Sequence, residues 1–143
     1  MKEESYNLIE NLEDCHWWHK ARREIIVDAI INNIPNCNEK RLLDIGCGSG
    51  YFLSKISEYI PNSIGIESHE YSNKKYNDIK KCNIFDNGLE NNSFDIITAL
   101  DVIEHIENEN QFLDETKRLL YNFHNGGENR DNCSCLSMAI YIS

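Results

Sequence analysis

The sequence predicts an α/β fold in which helices flank a parallel sheet, and three observations support this prediction. Apolar segments typical of strands alternate with segments whose apolar residues recur at helical spacing. One segment, SFDIITALDV, is almost continuously apolar, as expected of a strand that is buried on both faces. A glycine-rich turn at residues 46–50 separates the first strand from the helix after it. This alternation is typical of a domain built around a parallel sheet.

The predicted elements follow one another without an internal repeat. Residues 17–34 carry apolar residues at helical spacing and are followed by Pro35, which predicts an amphipathic helix. Four strands are predicted, in the segments KRLLDIG, NSIGIE, IKKCNIF and SFDIITALDV, and the third of them is weak. Further helices are predicted over GYFLSKISEYI, around residues 69–78, and over NENQFLDETKRLLYNF, which carries Phe112, Leu113, Thr116, Leu119 and Leu120.

Composition and charge argue against several classes of protein. The chain has 143 residues, the size of one domain, and its net charge of −10 argues against nucleic-acid binding, which needs clustered Lys and Arg. No apolar stretch approaches the ~20 residues of a membrane span. The acidic N-terminal segment lacks the order of a signal peptide. We therefore expect a cytoplasmic protein that binds neither nucleic acid nor a membrane.

The cysteines are expected to be scattered structural thiols. Without a signal peptide, reduced thiols are the expectation. No two of them have the Cys-x-x-Cys spacing of a zinc site, so no metal site is predicted. The six are Cys15, Cys37, Cys47, Cys82, Cys133 and Cys135.

Three glycines, Gly46, Gly48 and Gly50, follow the first predicted strand and precede a helix. They therefore lie at the carboxyl end of a parallel strand, where open α/β sheets bind ligands. Glycine allows a sharp turn and a close approach of a ligand to the backbone, and amides at the start of the next helix can face a polar or anionic group. A tight turn without a ligand is the alternative. The strand, the helix and the acid Glu67 at the end of the next strand favour a binding site.

The spacing of these glycines distinguishes between nucleotide ligands. It is G-x-G-x-G, whereas the dinucleotide fingerprint is G-x-G-x-x-G. Glu67 lies where an acid would bind ribose hydroxyls, although an ordinary surface acid at a strand end is the alternative. Both features suit an adenosine-containing ligand, and the spacing favours one without a pyrophosphate.

At these residues the chain resembles the class I S-adenosylmethionine-dependent methyltransferases. LLDIGCGSGYFL resembles the first motif of that family, and SIGIE resembles the second, whose terminal acid holds the ribose. CNIFDNGLENNSFDIITALDVIEHI resembles a further block of the family in length and order. The resemblance covers about residues 15–120. It implies a Rossmann-like parallel sheet with flanking helices, S-adenosyl-L-methionine as cofactor, and methyl transfer to a small-molecule acceptor.

The resemblance also implies roles for residues near the glycine turn. Gly46 and Gly48 would approach the methionine part of the cofactor, and Glu67 would hold the ribose. Asp44 would help to orient the ammonium group. Catalysis in such a site consists mostly of proximity and orientation.

The base of the cofactor would be flanked by Asn83 and Ile84. Asn83 stands where the family usually has an aspartate that accepts a hydrogen bond from the adenine amino group. An amide oxygen can accept the same bond, but without the added strength that a charge supplies.

Polar residues after the fourth strand face the expected acceptor side. Asp101 is counted among the cofactor-binding residues, and His105 is a candidate general base. The alternative is that Glu104 and His105 only hydrogen-bond the loop. Trp17 and Trp18, on the first helix, either cover the cofactor or acceptor or pack in the core.

The tail departs from the family, which continues with a fifth strand that often reads like IVITVPAYQW. Met138 and Ala139 must be encoded ATG-GCN, so the frame that starts one base later contains a tryptophan codon. Over residues 127–140 the same shift permits GKIVITVPAYQWLF. We therefore predict an incomplete methyltransferase fold, truncated or frameshifted at its C-terminal end, in which methyl transfer is impaired. Residues 1–122 would form the methyltransferase domain and residues 123–143 an aberrant, poorly ordered tail; sequencing the coding DNA tests the shift.

Loss of the later strands would leave the fourth strand with an open edge, which predicts low stability or aggregation. Two alternatives to an S-adenosylmethionine-dependent enzyme remain open. The first is a non-catalytic fragment that binds the cofactor or a partner. The second is a nicotinamide-dependent oxidoreductase, which the glycine spacing disfavours.

Overall fold

The computed structural model of the chain describes residues 17–121 and the backbone of residues 138–142. Five parallel strands form one sheet in the order β3-β2-β1-β4-β5. This architecture confirms the predicted α/β fold. The strands are β1 (Arg41–Ile45), β2 (Asn62–Glu67), β3 (Ile79–Lys81), β4 (Ile96–Leu100) and β5 (Met138–Ile142). The helices are α1 (Trp17–Asn33), α2 (Tyr51–Ile56) and α3 (Glu109–Leu119).

The chain forms two compact units, and the boundary between them follows Pro35. The first unit contains α1, which buries Ile26, Val27 and Ile30. Trp17 and Trp18 are exposed by 73% and 56% and meet edge to face, which argues against one of the two alternatives for them, that they pack in the core. No helix among residues 17–121 combines the length and apolar character that a bilayer crossing requires.

The main core of the second unit lies where the sheet meets α3. Side chains alternate between the two faces of a strand, so Leu43 and Ile45 of β1 share one face and Asp44 has the other. The apolar face packs with Phe112 and Leu119 of α3. The predicted helical stripe of α3 is confirmed at its buried positions, while Leu113 is partly exposed. This packing fixes the carboxyl ends of the strands relative to the start of α3.

The predicted helix around residues 69–78 was wrong, since the chain there consists of bends and irregular backbone. The segment HEYSNKKYND has no apolar stripe that a helix could bury against the sheet. Its polar groups bond to neighbouring elements instead. The Lys75 N–H donates to the Ser49 carbonyl over 2.7 Å, and the Tyr76 hydroxyl donates to the Ser63 carbonyl over 2.8 Å.

The predicted open edge on β4 was also wrong, because β5 pairs with it in parallel. Ile96 lies opposite Met138 and Leu100 opposite Ile142. MAIYI is rich in residues that favour strands, and its backbone groups satisfy an edge that would otherwise be unpaired. Because this edge of β4 is paired, an open edge there no longer gives a reason to expect aggregation. The remainder of the predicted tail, residues 123–137, lies outside the described residues.

Candidate functional site

The glycine turn forms a tight loop directly after β1. The N–H groups of Gly46 and Cys47 both donate to the Ile66 carbonyl, over 2.9 and 3.2 Å. The loop therefore closes onto the end of β2. Gly46 has φ +66°, and a Cβ there would lie 2.5 Å from Cγ2 of Val102. Both the turn and the approach of the segment after β4 thus require glycine at this position.

Glu67, the last residue of β2, joins the two strand ends. One carboxylate oxygen accepts from the Gly48 N–H over 3.0 Å, and the other accepts from the His69 N–H over 2.9 Å. This geometry argues against the surface-acid alternative. The Ser68 hydroxyl also donates to this carboxylate, over 3.2 Å. A carboxylate has about four lone-pair sites, so these three bonds leave acceptor capacity for a hydroxyl of a ligand.

Asp44 lies beneath the loop rather than in it. Its side chain is buried and accepts a hydrogen bond of 2.6 Å from the hydroxyl of Thr98, its register partner on β4. Burial raises the pKa of the Asp44 carboxyl from 3.8 to about 7, the Thr98 hydrogen bond opposes this rise, and the nearby charge of Glu67 adds to it. The carboxyl group is therefore poised to change its charge near neutral pH.

This raised pKa gives an expected dependence of stability on pH. The native state holds the Asp44 proton more tightly than the unfolded chain does between about pH 4 and pH 7. The free energy of unfolding should consequently fall as pH rises through this window and level off above it. Urea unfolding of the wild type and Asp44→Asn checks this, because the free energy of unfolding of the wild type should fall relative to that of the non-titrating variant as pH rises from about 4 to 7. Parallel profiles would contradict the assignment. Thr98→Val should extend the window upward, since the variant lacks the hydrogen bond that lowers the pKa.

A cavity of about 470 Å³ opens at the carboxyl ends of β1, β2 and β3 and beside the segment after β4. Its volume lies in the range of small-molecule sites, roughly 300–1,000 Å³. The structure brings together at this cavity five of the residues that the sequence predicts: Gly46, Glu67, Asn83, Ile84 and His105. Asp44, Gly48 and Asp101 do not line it. Asp101 follows β4 with φ +57°, a backbone conformation that is uncommon outside glycine.

Sequence reasoning missed much of the cavity wall. Phe85 belongs to a short 3-10 helix, Ile84–Asp86, that follows β3. The remaining missed residues come from the ends of strands β1 to β3, from the segment after β4 and from the first turn of α3. They are Ile45, Ile66, Ser68, Cys82, Val102, Ile106, Glu107, Asn108 and Gln111. The sequence shows that these segments lie next to strand ends, which indicates that they adjoin the site. Which of their side chains face the cavity depends on loop geometry, which the sequence does not show.

Among the described residues, the thiols of Cys47 and Cys82 show no sign of catalytic activation. Neither takes part in a disulfide. Burial raises the pKa of the Cys47 thiol, and the carboxylates of Asp44 and Glu67 raise it further, which disfavours the reactive thiolate. Within the described part of the chain, no group of three or more His, Cys, Asp or Glu residues is arranged to hold a metal ion.

Known proteins share both the sequence pattern and the fold. The ubiquinone biosynthesis O-methyltransferase of Rickettsia canadensis is 26% identical over 120 residues, in an alignment that covers 68% of this chain and 50% of that protein. A protein of Mycolicibacterium smegmatis named as a probable S-adenosylmethionine-dependent methyltransferase is 26% identical over 118 residues, covering 78% of this chain and 44% of that protein. The chain thus spans about half the length of the curated relatives it matches.

A solved structure supports the fold in particular. The N-methyltransferase NodS of Bradyrhizobium japonicum, in complex with S-adenosyl-L-homocysteine, superposes with a TM-score of 0.61 at 18% identity. The match covers 76% of this chain and 59% of NodS. The model of the methyltransferase domain family matches residues 17–122, a range that contains β1 to β4 and every residue lining the cavity. The chain therefore belongs to the methyltransferase domain family.

Proposed function

We propose that this domain binds S-adenosyl-L-methionine across the carboxyl ends of β1, β2 and β3 and transfers its methyl group to a small-molecule acceptor. The observation that carries the proposal is the bond between the Glu67 carboxylate and the Gly48 N–H, which joins an acid and a glycine turn beside the cavity. An acid at the end of the second strand is the residue type that holds ribose hydroxyls. The family match supports the same activity.

The order of the strands suggests how the cofactor lies. The methionine part would contact the backbone at Gly46, and the ribose would bind Glu67, which Gly48 would hold in place through its N–H. Because β3 follows β2 outward in the sheet, the base would lie beside Asn83 and Ile84. The aliphatic side chain of Ile84 offers the apolar wall that a purine needs. Asp44 and Asp101, which do not line the cavity, would act through the loops that they adjoin.

The cofactor supplies a methyl group on a sulfonium, and the chain supplies position. The cavity would hold the reacting groups in line and restrict water. His105 lines the cavity from the turn after β4, and in this proposal its imidazole takes a proton from the acceptor. The net charge of −10 favours a small molecule over a nucleic acid as acceptor, and we place the reaction in the cytoplasm, as the sequence predicts.

Calorimetric titration tests the proposal. S-adenosylhomocysteine should bind and NAD should not. NAD binding in its place would favour the nicotinamide-dependent oxidoreductase and contradict the proposal. Binding of neither ligand would favour an interaction fragment. Binding of S-adenosylhomocysteine without methyl transfer to any acceptor would favour a cofactor-binding fragment that is not catalytic.

A further inference from the structure

We infer that Asn83 presents its donor Nδ2 to the base of the bound nucleoside, because its oxygen caps the helix that follows, so that this site does not select for the amino group of adenine. The inference deepens the proposed function and rests on it, since it takes the cavity to be the cofactor site. The orientation of the Asn83 side chain is set by a backbone N–H two residues later in the chain.

The carboxamide of Asn83 is oriented by the short helix that follows it. Its Oδ1 accepts from the Phe85 N–H over 2.9 Å and so caps the 3-10 helix Ile84–Asp86. A backbone N–H can only donate, so the atom that faces it must be the amide oxygen. The second atom of the group is therefore Nδ2, which donates, and it has no hydrogen-bond partner among residues 17–121.

The position of Asn83 follows from the pairing of β2 with β3. Lys81 lies opposite Glu67, and the Cys82 N–H donates to the Glu67 carbonyl over 3.0 Å. Asn83 comes next and lines the cavity. A ribose held by Glu67 would thus direct its base toward Asn83, which is the polar side chain at the end of β3.

The difference between an amide and a carboxylate decides what this position recognises. An aspartate with the same cap would use one oxygen for the Phe85 N–H and keep the other to accept from an amino group. Asn83 has an NH₂ group in the place of that second oxygen. Two donors cannot pair, so Nδ2 would form no hydrogen bond with the adenine amino group and would pair with a ring nitrogen. This inference is an alternative to the expectation that the amide oxygen accepts from the adenine amino group.

Calorimetry with two ligands tests this inference on the wild type, Asn83→Asp and Asn62→Asp. The ligands are S-adenosylhomocysteine and its 6-deamino analogue, in which a purine without the amino group replaces adenine. Asn83→Asp keeps the capping oxygen and should fold. Asn62→Asp adds the same charge at the exposed first residue of β2, at the opposite end of that strand from the cavity.

The wild type and Asn62→Asp should bind the two ligands with affinities within about threefold of each other, because no hydrogen bond to the amino group is lost. Asn83→Asp should prefer S-adenosylhomocysteine by about tenfold or more, since its free oxygen accepts a charge-assisted bond. A tenfold preference of the wild type for S-adenosylhomocysteine over the 6-deamino analogue would overturn the inference. So would equal affinities for the two ligands in Asn83→Asp. If the wild type bound neither ligand, the proposed function would fail and the inference with it. If the wild type bound either ligand but the preferences differed from those expected, the inference would fail and the proposed function would stand.

Discussion

Glu67→Ala is expected to weaken the binding of S-adenosylhomocysteine by about 5- to 150-fold, which corresponds to about 1–3 kcal/mol. The variant loses the carboxylate that would hold the ribose. It also leaves the N–H groups of Gly48 and His69 without their acceptor, so the glycine turn loses its link to the end of β2. Both effects should weaken the binding of S-adenosylhomocysteine. Isothermal titration calorimetry measures the change directly.

Two further variants separate the role of this carboxylate from the loss of charge or bulk. Glu70→Ala removes an exposed acid three residues away that pairs with Lys81 and does not line the cavity, so its affinity should match the wild type. Glu67→Gln keeps the size of the side chain, but its amide offers one acceptor atom where two N–H groups need one each. It should therefore also bind weakly. Full affinity in Glu67→Ala would show that the ribose binds elsewhere.

Gly50→Ala is expected to lower the free energy of unfolding by about 2–4 kcal/mol. Gly50 has φ +93°, and a Cβ there would lie 2.8 Å from Cδ1 of Ile79 and 2.8 Å from Cβ of Tyr76. The backbone nitrogen of Tyr76 would lie 3.2 Å away, so rotation of a side chain alone cannot relieve the contact. Urea unfolding measures the loss.

Gly88→Ala provides the matched control for this variant. Gly88 also has a positive φ, +63°, but a Cβ there would meet only Nζ of Lys80, at 3.5 Å. The control therefore carries the backbone strain without the overlap and should cost about 1–2 kcal/mol. Equal losses in the two variants would contradict the packing of the segment before β3 against the glycine turn.

Elements with a strong local pattern could be predicted from the sequence. NSIGIE is β2 at the predicted bounds, and the helix predicted over residues 17–34 is α1. The segment around residues 69–78 was harder, because its hydrogen-bond partners, such as Ser49 and Ser63, lie on other elements. The pairing of β5 with β4 was missed for a related reason. Its five residues become a strand by completing a sheet edge that lies about 40 residues earlier in the chain.

In the candidate site, too, the features set by strand order could be predicted, whereas those set by contacts between elements could not. The contact between the glycine turn and Glu67 could be foreseen, because both follow neighbouring parallel strands and meet at one edge of the sheet. The orientation of the Asn83 amide could not, since it depends on the cap of a three-residue helix. Residues such as Ile106 and Gln111 enter the cavity wall only because the core packs α3 against the sheet.

A crystal structure of the domain with S-adenosylhomocysteine tests the central claim most directly. The ligand should lie across the carboxyl ends of β1, β2 and β3. Its ribose hydroxyls should be within hydrogen-bond distance of the Glu67 carboxylate, and its base should lie beside Asn83. Ligand density at another place on the sheet, or a Glu67 carboxylate turned away from the sugar, would contradict it.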